Sequence, residues 1–116
     1  MIRVFHGDDS DAYRRLLAAM LAGDDAIELA GSAGTPEAIL EGVAALRPDV
    51  VLLDQLGDAG LVAQVRAAAP GVRVVVLSGF SAGAGDPGVA AAADAYCVKS
   101  PDVAALRETV LRVAAT

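Results

Sequence analysis

Val50-Val51-Leu52-Leu53-Asp54 is the stretch that decides the fold, because four large aliphatic residues run without a break into a single carboxylate. A continuous apolar run of this length is typical of a strand buried on both faces, whereas a half-exposed strand alternates apolar and polar residues. Val74–Leu77 repeats the pattern and is followed by a hydroxyl residue, Ser78. Both runs predict central strands of a parallel sheet with helices on its two faces.

The rest of the chain alternates between strand-like and helix-like segments around these two runs. Three further strands are predicted at Val4–Phe5, Ile27–Ala30 and Ala95–Val98. Helical spacing is clearest in the last segment, at Val103, Leu106, Val110 and Val113. Strict alternation predicts one α/β domain over residues 1–116. It has a five-stranded parallel sheet in the order 2-1-3-4-5 with helices on both faces, the flavodoxin-like arrangement.

Local signals mark where the helices begin and where one of them is weak. Thr35-Pro36-Glu37 and Ser100-Pro101-Asp102 each offer a hydroxyl cap, a proline for the first helical position and an acid for the first turn. The segment 81–88 is rich in glycine, so only Val89–Ala93 has a helical pattern before the fifth strand. We therefore expect a shortened or irregular fourth helix.

Composition excludes several classes of protein. The formal net charge of the 116 residues is −6 and no basic cluster is present, which argues against direct binding of nucleic acid. The longest apolar run, Leu16–Ala22, is far shorter than the ~20 residues that cross a membrane, and Met1-Ile2-Arg3 opens no secretory signal. The single cysteine, Cys97, excludes an internal disulfide. These features predict a cytoplasmic protein without membrane contact.

Polar residues follow four of the predicted strands. Asp8 and Asp9 come after the first strand, Asp54 after the third, Ser78 after the fourth and Lys99, the only lysine, after the fifth. The carboxyl ends of parallel strands meet at one edge of the sheet, which is where α/β sheets bind ligands. Three crowded carboxylates repel one another unless a cation neutralises them, and oxygen ligands of this kind suit Mg²⁺. The sequence thus predicts an acidic Mg²⁺ site faced by Lys99.

Four motifs follow one another along the chain: Val4-Phe5-His6-Gly7-Asp8-Asp9-Ser10, Pro48-Asp49-Val50-Val51-Leu52-Leu53-Asp54, Val74-Val75-Val76-Leu77-Ser78-Gly79 and Tyr96-Cys97-Val98-Lys99. In this order and spacing they resemble the receiver domain of bacterial two-component response regulators. The resemblance covers essentially the whole chain. It implies a signalling domain rather than an enzyme, at most with slow autodephosphorylation. Its implied partners are a sensor histidine kinase and a downstream output protein or a second copy of the chain.

The resemblance also implies a role for each site residue. Asp54 matches the phosphoacceptor, and Asp8 and Asp9 match the acidic pair that positions Mg²⁺. The backbone carbonyl of Leu56 matches a further metal ligand. The remaining matches concern the phosphorylated state. Lys99 matches the lysine that pairs with the phosphoryl oxygens. The switch residues are Ser78, whose hydroxyl turns inward to bind those oxygens, and Tyr96, whose rotamer follows the movement of Ser78.

Departures from the family pattern keep other functions of the chain open. The segment 55–60 after Asp54 lacks the usual proline and is about two residues short, Ser100 stands before Pro101, and His6 occupies a strand position that is usually apolar. We expect His6 to be a satisfied core or strand-end histidine rather than a catalytic one. A degenerate receiver, acting as a constitutive binding module, is the main alternative. An aspartate-nucleophile phosphatase, suggested by Asp9-Ser10-Asp11, and a flavin- or nucleotide-binding protein fit less well.

Overall fold

The computed structural model describes residues 1–54, 59–79, 93–99 and 102–116. Its five strands are β1 (Ile2–Gly7), β2 (Ile27–Ala33), β3 (Val50–Asp54), β4 (Arg73–Ser78) and β5 (Ala95–Val98). The helices within these ranges are α1 (Asp11–Leu21), α2 (Pro36–Leu46), α3 (Ala59–Ala68) and the C-terminal helix α4 (Val103–Ala114). The fourth helix expected near Val89–Ala93 falls almost wholly in residues 80–92, outside the described residues, so α4 here is the helix predicted as the fifth.

The sheet is parallel throughout and has the order β2-β1-β3-β4-β5, which confirms the predicted topology. The central strand β3 is buried from Val50 to Leu53, as its unbroken apolar run predicts. Most strands are longer than their apolar runs, because polar or small residues such as Arg3 and Ser32 extend the backbone pairing beyond the core. Apolar runs therefore locate the strands but understate their length.

Two apolar layers hold the sheet between its helices. On one face α2 and α3 cover a core that includes Phe5, Ile39, Val51 and Val65. On the other face α1 and α4 cover a core that includes Leu17, Leu52 and Val110. Alternate residues of each strand supply the two layers, because successive side chains point to opposite faces. Among the described residues, no helix is long and apolar enough to cross a membrane.

The helix starts agree with one predicted cap and correct the other. Thr35 caps α2 by accepting a hydrogen bond from the Ala38 amide at 3.2 Å, with Pro36 in the first turn. The predicted hydroxyl cap of α4 is wrong, because Asp102 caps this helix, and Ser100 itself lies outside the described residues. That helix begins at Val103, and the Asp102 carboxylate accepts a hydrogen bond from the Ala104 amide at 3.0 Å. Aspartate is as good a cap as serine, so both Ser100 and Asp102 are chemically able to cap the helix, and the helix begins after the later of the two.

Close packing of α2 on the sheet depends on glycine at one position. A Cβ at Gly42 would lie 2.5 Å from two ring carbons of Phe5, which is itself buried. Gly42→Ala should therefore destabilise the protein by about 1–3 kcal/mol, although alanine normally favours a helix. Urea unfolding measures the change. Gly79→Ala is the control, since a Cβ there meets no atom of the described residues within 4 Å. Equal stability of the two variants would contradict this account of the packing.

Candidate functional site

Strand register brings the predicted carboxylates together. Gly7 of β1 pairs with Leu53 of β3, so Asp8, which follows β1, and Asp54, the last residue of β3, lie side by side at the end of the sheet. Carboxylate oxygens of Asp8, Asp9 and Asp54 all lie within 4.8 Å of one another. Asp8 is fully buried, Asp54 is about one-sixth exposed and Asp9 faces solvent. The three acids thus form a graded cluster that opens from the sheet edge to solvent.

Asp8 is fixed by the chain that turns from β1 into α1. Its Oδ1 accepts a hydrogen bond from the Ser10 amide at 2.9 Å, and its backbone carbonyl accepts one from the Arg14 guanidinium. Ser10 in turn caps α1, because its hydroxyl accepts from the Tyr13 amide at 3.1 Å. The first helix therefore starts directly beside the acidic cluster and leaves the Asp8 carboxylate little freedom.

Lys99 provides the positive charge among the acids. Its Nζ lies 2.8 Å from Oδ2 of Asp8 and 2.7 Å from Oδ1 of Asp54. Its backbone amide donates to the Ser78 carbonyl at 2.6 Å, which aligns the end of β5 with the end of β4. Burial lowers the pKa of Lys99, but the hydrogen bonds to Asp54 and Asp8 outweigh it and raise that pKa overall. The ammonium is therefore charged at neutral pH.

One ammonium does not balance three carboxylates. Burial raises the pKa of Asp54 above its ordinary value, and the nearby charges of Asp8 and Asp9 raise it further, while Lys99 acts in the opposite direction. The remaining negative charge is presented by oxygen atoms alone, within the spacing that one hard cation can bridge. The donor set therefore fits Mg²⁺.

The structure describes two of the three other predicted site residues. Ser78 ends β4 at the same edge and is buried. Tyr96 is half-buried and packs against the core layer under α2 and α3. Leu56, the implied carbonyl ligand, lies outside the described residues, as does the shortened segment 55–58. Strand order thus brings Asp8, Asp9, Asp54 and Lys99 into one site with Ser78 at its edge.

The prediction of a satisfied core or strand-end histidine at His6 is wrong about its hydrogen bonds. Its side chain is fully buried, yet within the described ranges neither ring nitrogen has a hydrogen-bond partner. Its Nε2 lies 3.5 Å from Oδ2 of Asp8, beyond ordinary hydrogen-bond length. Burial lowers the pKa of His6 to about 4, against the opposing effect of the Asp8 carboxylate. The imidazole is therefore neutral at neutral pH, and it lies against the Asp8 carboxylate.

Sequence reasoning missed Tyr13, which lies over both His6 and Lys99. Its ring meets the imidazole edge-on with centroids 5.6 Å apart, and the Lys99 ammonium lies 4.7 Å from its centroid. Such a contact stabilises a cation by about 0.5–2 kcal/mol. The available signal was its position in the first turn of α1, directly after the Asp8-Asp9 pair. Only the fold shows that this turn bends back over the site.

The chain matches parts of known proteins in sequence, although no family model matches it. A protein-glutamate methylesterase/protein-glutamine glutaminase of Anaeromyxobacter dehalogenans is 47% identical over 53 residues, 46% of this chain and 15% of that protein. The DNA-binding transcriptional activator DevR/DosR of Mycobacterium tuberculosis is 32% identical over 85 residues, 70% of this chain and 39% of that protein. The chain therefore spans well under half the length of these relatives.

Solved structures match nearly all of the chain. The signal receiver domain of the response regulator NarL from Mycobacterium tuberculosis has a TM-score of 0.82 and 26% identity, covering 98% of this chain and 96% of that one. The response regulator TrrA from Thermotoga maritima, solved in complex with Mg²⁺-BeF, has a TM-score of 0.80 and 26% identity, covering 97% and 99%. The response regulator domain of Thermotoga maritima CheB, at 18% identity and a TM-score of 0.85 over 100% and 98%, matches in fold. The chain therefore has the fold of response regulator receiver domains and resembles them along nearly its whole length.

Proposed function

We propose that this chain is a phosphorylatable receiver, which accepts a phosphoryl group on Asp54 from a histidine kinase in a Mg²⁺-dependent reaction. The observation that carries the proposal is the convergence of three carboxylates with the ammonium of Lys99 at the carboxyl edge of the sheet. Asp54 is the acceptor because it combines partial burial with access to solvent. Asp8 is fully buried and cannot reach a donor.

The transfer is a displacement at phosphorus. A carboxylate oxygen of Asp54 attacks the phosphorus of a phosphohistidine, the new P–O bond forms and the P–N bond breaks. The leaving imidazole takes up a proton from solvent, so no general acid of this chain is required. Partial desolvation of Asp54 makes its carboxylate more basic and hence a better nucleophile, in line with its raised pKa.

The surrounding charges make this attack feasible. Asp8, Asp9 and Asp54 would hold Mg²⁺, which offsets the negative charge of the incoming phosphoryl group. Lys99 already lies 2.7 Å from Asp54, so a short movement of its ammonium places it on the new phosphoryl oxygens. Ser78, at the end of the adjacent strand, supplies a hydroxyl for the same oxygens, and Tyr96 on β5 follows its movement. A dianion at Asp54 would thereby change the surface around β4 and β5 that an output protein or a second copy binds.

Mass spectrometry with a small phosphodonor tests the proposal directly. The protein is incubated with acetyl phosphate, with and without MgCl₂, and its intact mass is recorded. We expect a gain of one phosphoryl group that requires Mg²⁺ and that hydroxylamine removes, because acyl phosphates react with this nucleophile. A folded protein that gains nothing from acetyl phosphate or from a phosphorylated kinase would instead support the constitutive binding module.

The activity named for the methylesterase relatives is not part of this proposal. The chain matches about one-seventh of the length of the Anaeromyxobacter protein, which is too little to carry the activity in that protein's name over to this chain.

A further inference from the structure

His6 occupies a position that ordinary core packing does not explain. It is the only histidine of the chain, it is fully buried on β1, and neither ring nitrogen has a hydrogen-bond partner in the described parts of the structure. Buried polar side chains are nearly always hydrogen-bonded, and each exception calls for a specific reason. The apolar alternative is already present two residues earlier, where Val4 fills the same face of β1.

The surroundings of His6 supply the reason. Its Nε2 faces Oδ2 of Asp8 at 3.5 Å, and that oxygen is held at 2.8 Å by the ammonium of Lys99. Tyr13 closes the group, since its ring contacts both the imidazole and the ammonium. His6, Asp8, Lys99 and Tyr13 thus form a ring of contacts behind the acidic cluster. While Lys99 occupies Oδ2, the imidazole is only a weak second partner of that oxygen.

We propose that His6 is a positioning residue, which donates a hydrogen bond from Nε2–H to Oδ2 of Asp8 and keeps this carboxylate oriented for Mg²⁺. This inference rests on the proposed function. Mg²⁺ would compete with Lys99 for the same carboxylates, so its binding would leave Oδ2 of Asp8 without its closest partner. A small movement of the imidazole then brings Nε2 within hydrogen-bond distance of Oδ2 of Asp8. Outer-shell donors of this kind fix metal-binding carboxylates and typically change metal affinity by about 10- to 100-fold.

The proposal specifies the tautomer of the imidazole. A neutral ring whose unprotonated Nε2 faced the carboxylate would direct a lone pair at a negative oxygen, which is repulsive. The proton must therefore sit on Nε2. Because the chain has one histidine, a long-range ¹H–¹⁵N spectrum of the wild-type protein reports this tautomer without ambiguity. An Nε2–H tautomer in the presence of MgCl₂ is expected, and an Nδ1–H tautomer would overturn the proposal.

Calorimetric titration with MgCl₂ tests the effect on affinity. His6→Leu removes the donor and suits the apolar face of β1, whereas His6→Gln keeps an N–H at a similar reach. We expect the dissociation constant for Mg²⁺ to rise by about tenfold or more in the leucine variant. The glutamine variant should stay within about threefold of the wild type, because it restores the donor. His6→Val replaces the leucine variant if that one does not fold.

The possible failures are distinguishable. If the wild-type protein binds Mg²⁺ and the folded leucine or valine variant binds it with the same affinity, the role of His6 alone is overturned. A glutamine variant no better than the leucine variant would do the same, since a merely structural histidine gives no rescue by a donor. Absence of Mg²⁺ binding by the wild-type protein would overturn the metal site and His6's part in it together.

Discussion

Asp54→Asn is expected to abolish the Mg²⁺-dependent gain of a phosphoryl group from acetyl phosphate. The amide oxygen carries no charge to attack phosphorus, while its size and its ability to accept a hydrogen bond from Lys99 preserve the local structure. Mg²⁺ affinity should fall by at least about tenfold in the same variant, because even partners outside the ligand shell commonly change affinity that much. Intact mass and calorimetric titration measure the two effects.

The matched control for this variant is Asp25→Asn. Asp25 lies just before β2, at the opposite end of the sheet from the acidic cluster, and its side chain is 92% exposed. This substitution removes the same charge from the protein, yet phosphorylation and Mg²⁺ affinity should stay at wild-type values. Phosphoryl incorporation into Asp54→Asn at the wild-type rate would show that the acceptor is another residue.

Lys99→Met is expected to destabilise the metal-free protein by about 2 kcal/mol. Removing one partner of a buried ion pair typically costs 3–5 kcal/mol, and the 20% exposure of Lys99 reduces that figure. The loss arises because Asp8 and Asp54 then face each other without a cation. MgCl₂ should recover most of the lost stability, since the metal neutralises the same carboxylates, and Mg²⁺ should bind more tightly once its competitor is gone. Urea unfolding with and without MgCl₂ measures both effects.

Arg15→Met provides the comparison for Lys99. Arg15 also pairs with a carboxylate, that of Asp11 at 2.9 Å, but its side chain is 75% exposed. Surface pairs of this kind contribute about 0–1 kcal/mol, so this variant should lose little stability and show no added dependence on Mg²⁺. A Lys99→Met protein that unfolds like Arg15→Met would argue against Lys99 as the cation that holds the cluster together.

Much of the fold is readable from local residue patterns. The unbroken aliphatic runs of β3 and β4 give the buried centre of the sheet, and alternation with helical segments gives the strand order. Boundaries are less predictable where two residues can do the same physical task. Ser100 and Asp102 are both able to cap a helix, and the structure uses Asp102. Sequence alone gives no reason to prefer one of these caps.

The candidate site was likewise predictable from the sequence only in part. Asp8, Asp9, Asp54 and Lys99 are recognisable because each lies at or just after the carboxyl end of a strand, and strand ends converge in a parallel sheet. Tyr13 and Arg14 belong to a helix whose direction relative to the strand end is set by packing, so their position shortly after Asp8 and Asp9 does not by itself show that they contact the site. His6 was predicted to be a satisfied core or strand-end histidine, but its lack of a hydrogen-bond partner among the described residues depends on how neighbouring elements pack around it.

The contact between Tyr13 and Lys99 gives the protein an optical probe of its own. The chain has no tryptophan and two tyrosines, so its near-ultraviolet fluorescence comes from Tyr13 and Tyr96. Tyr13 lies 4.7 Å from the ammonium of Lys99, and Tyr96 lies on the strand that ends beside that lysine. A Tyr96→Phe protein would emit from Tyr13 alone. Its emission would then follow the departure of the ammonium in real time, without a dye or an added label.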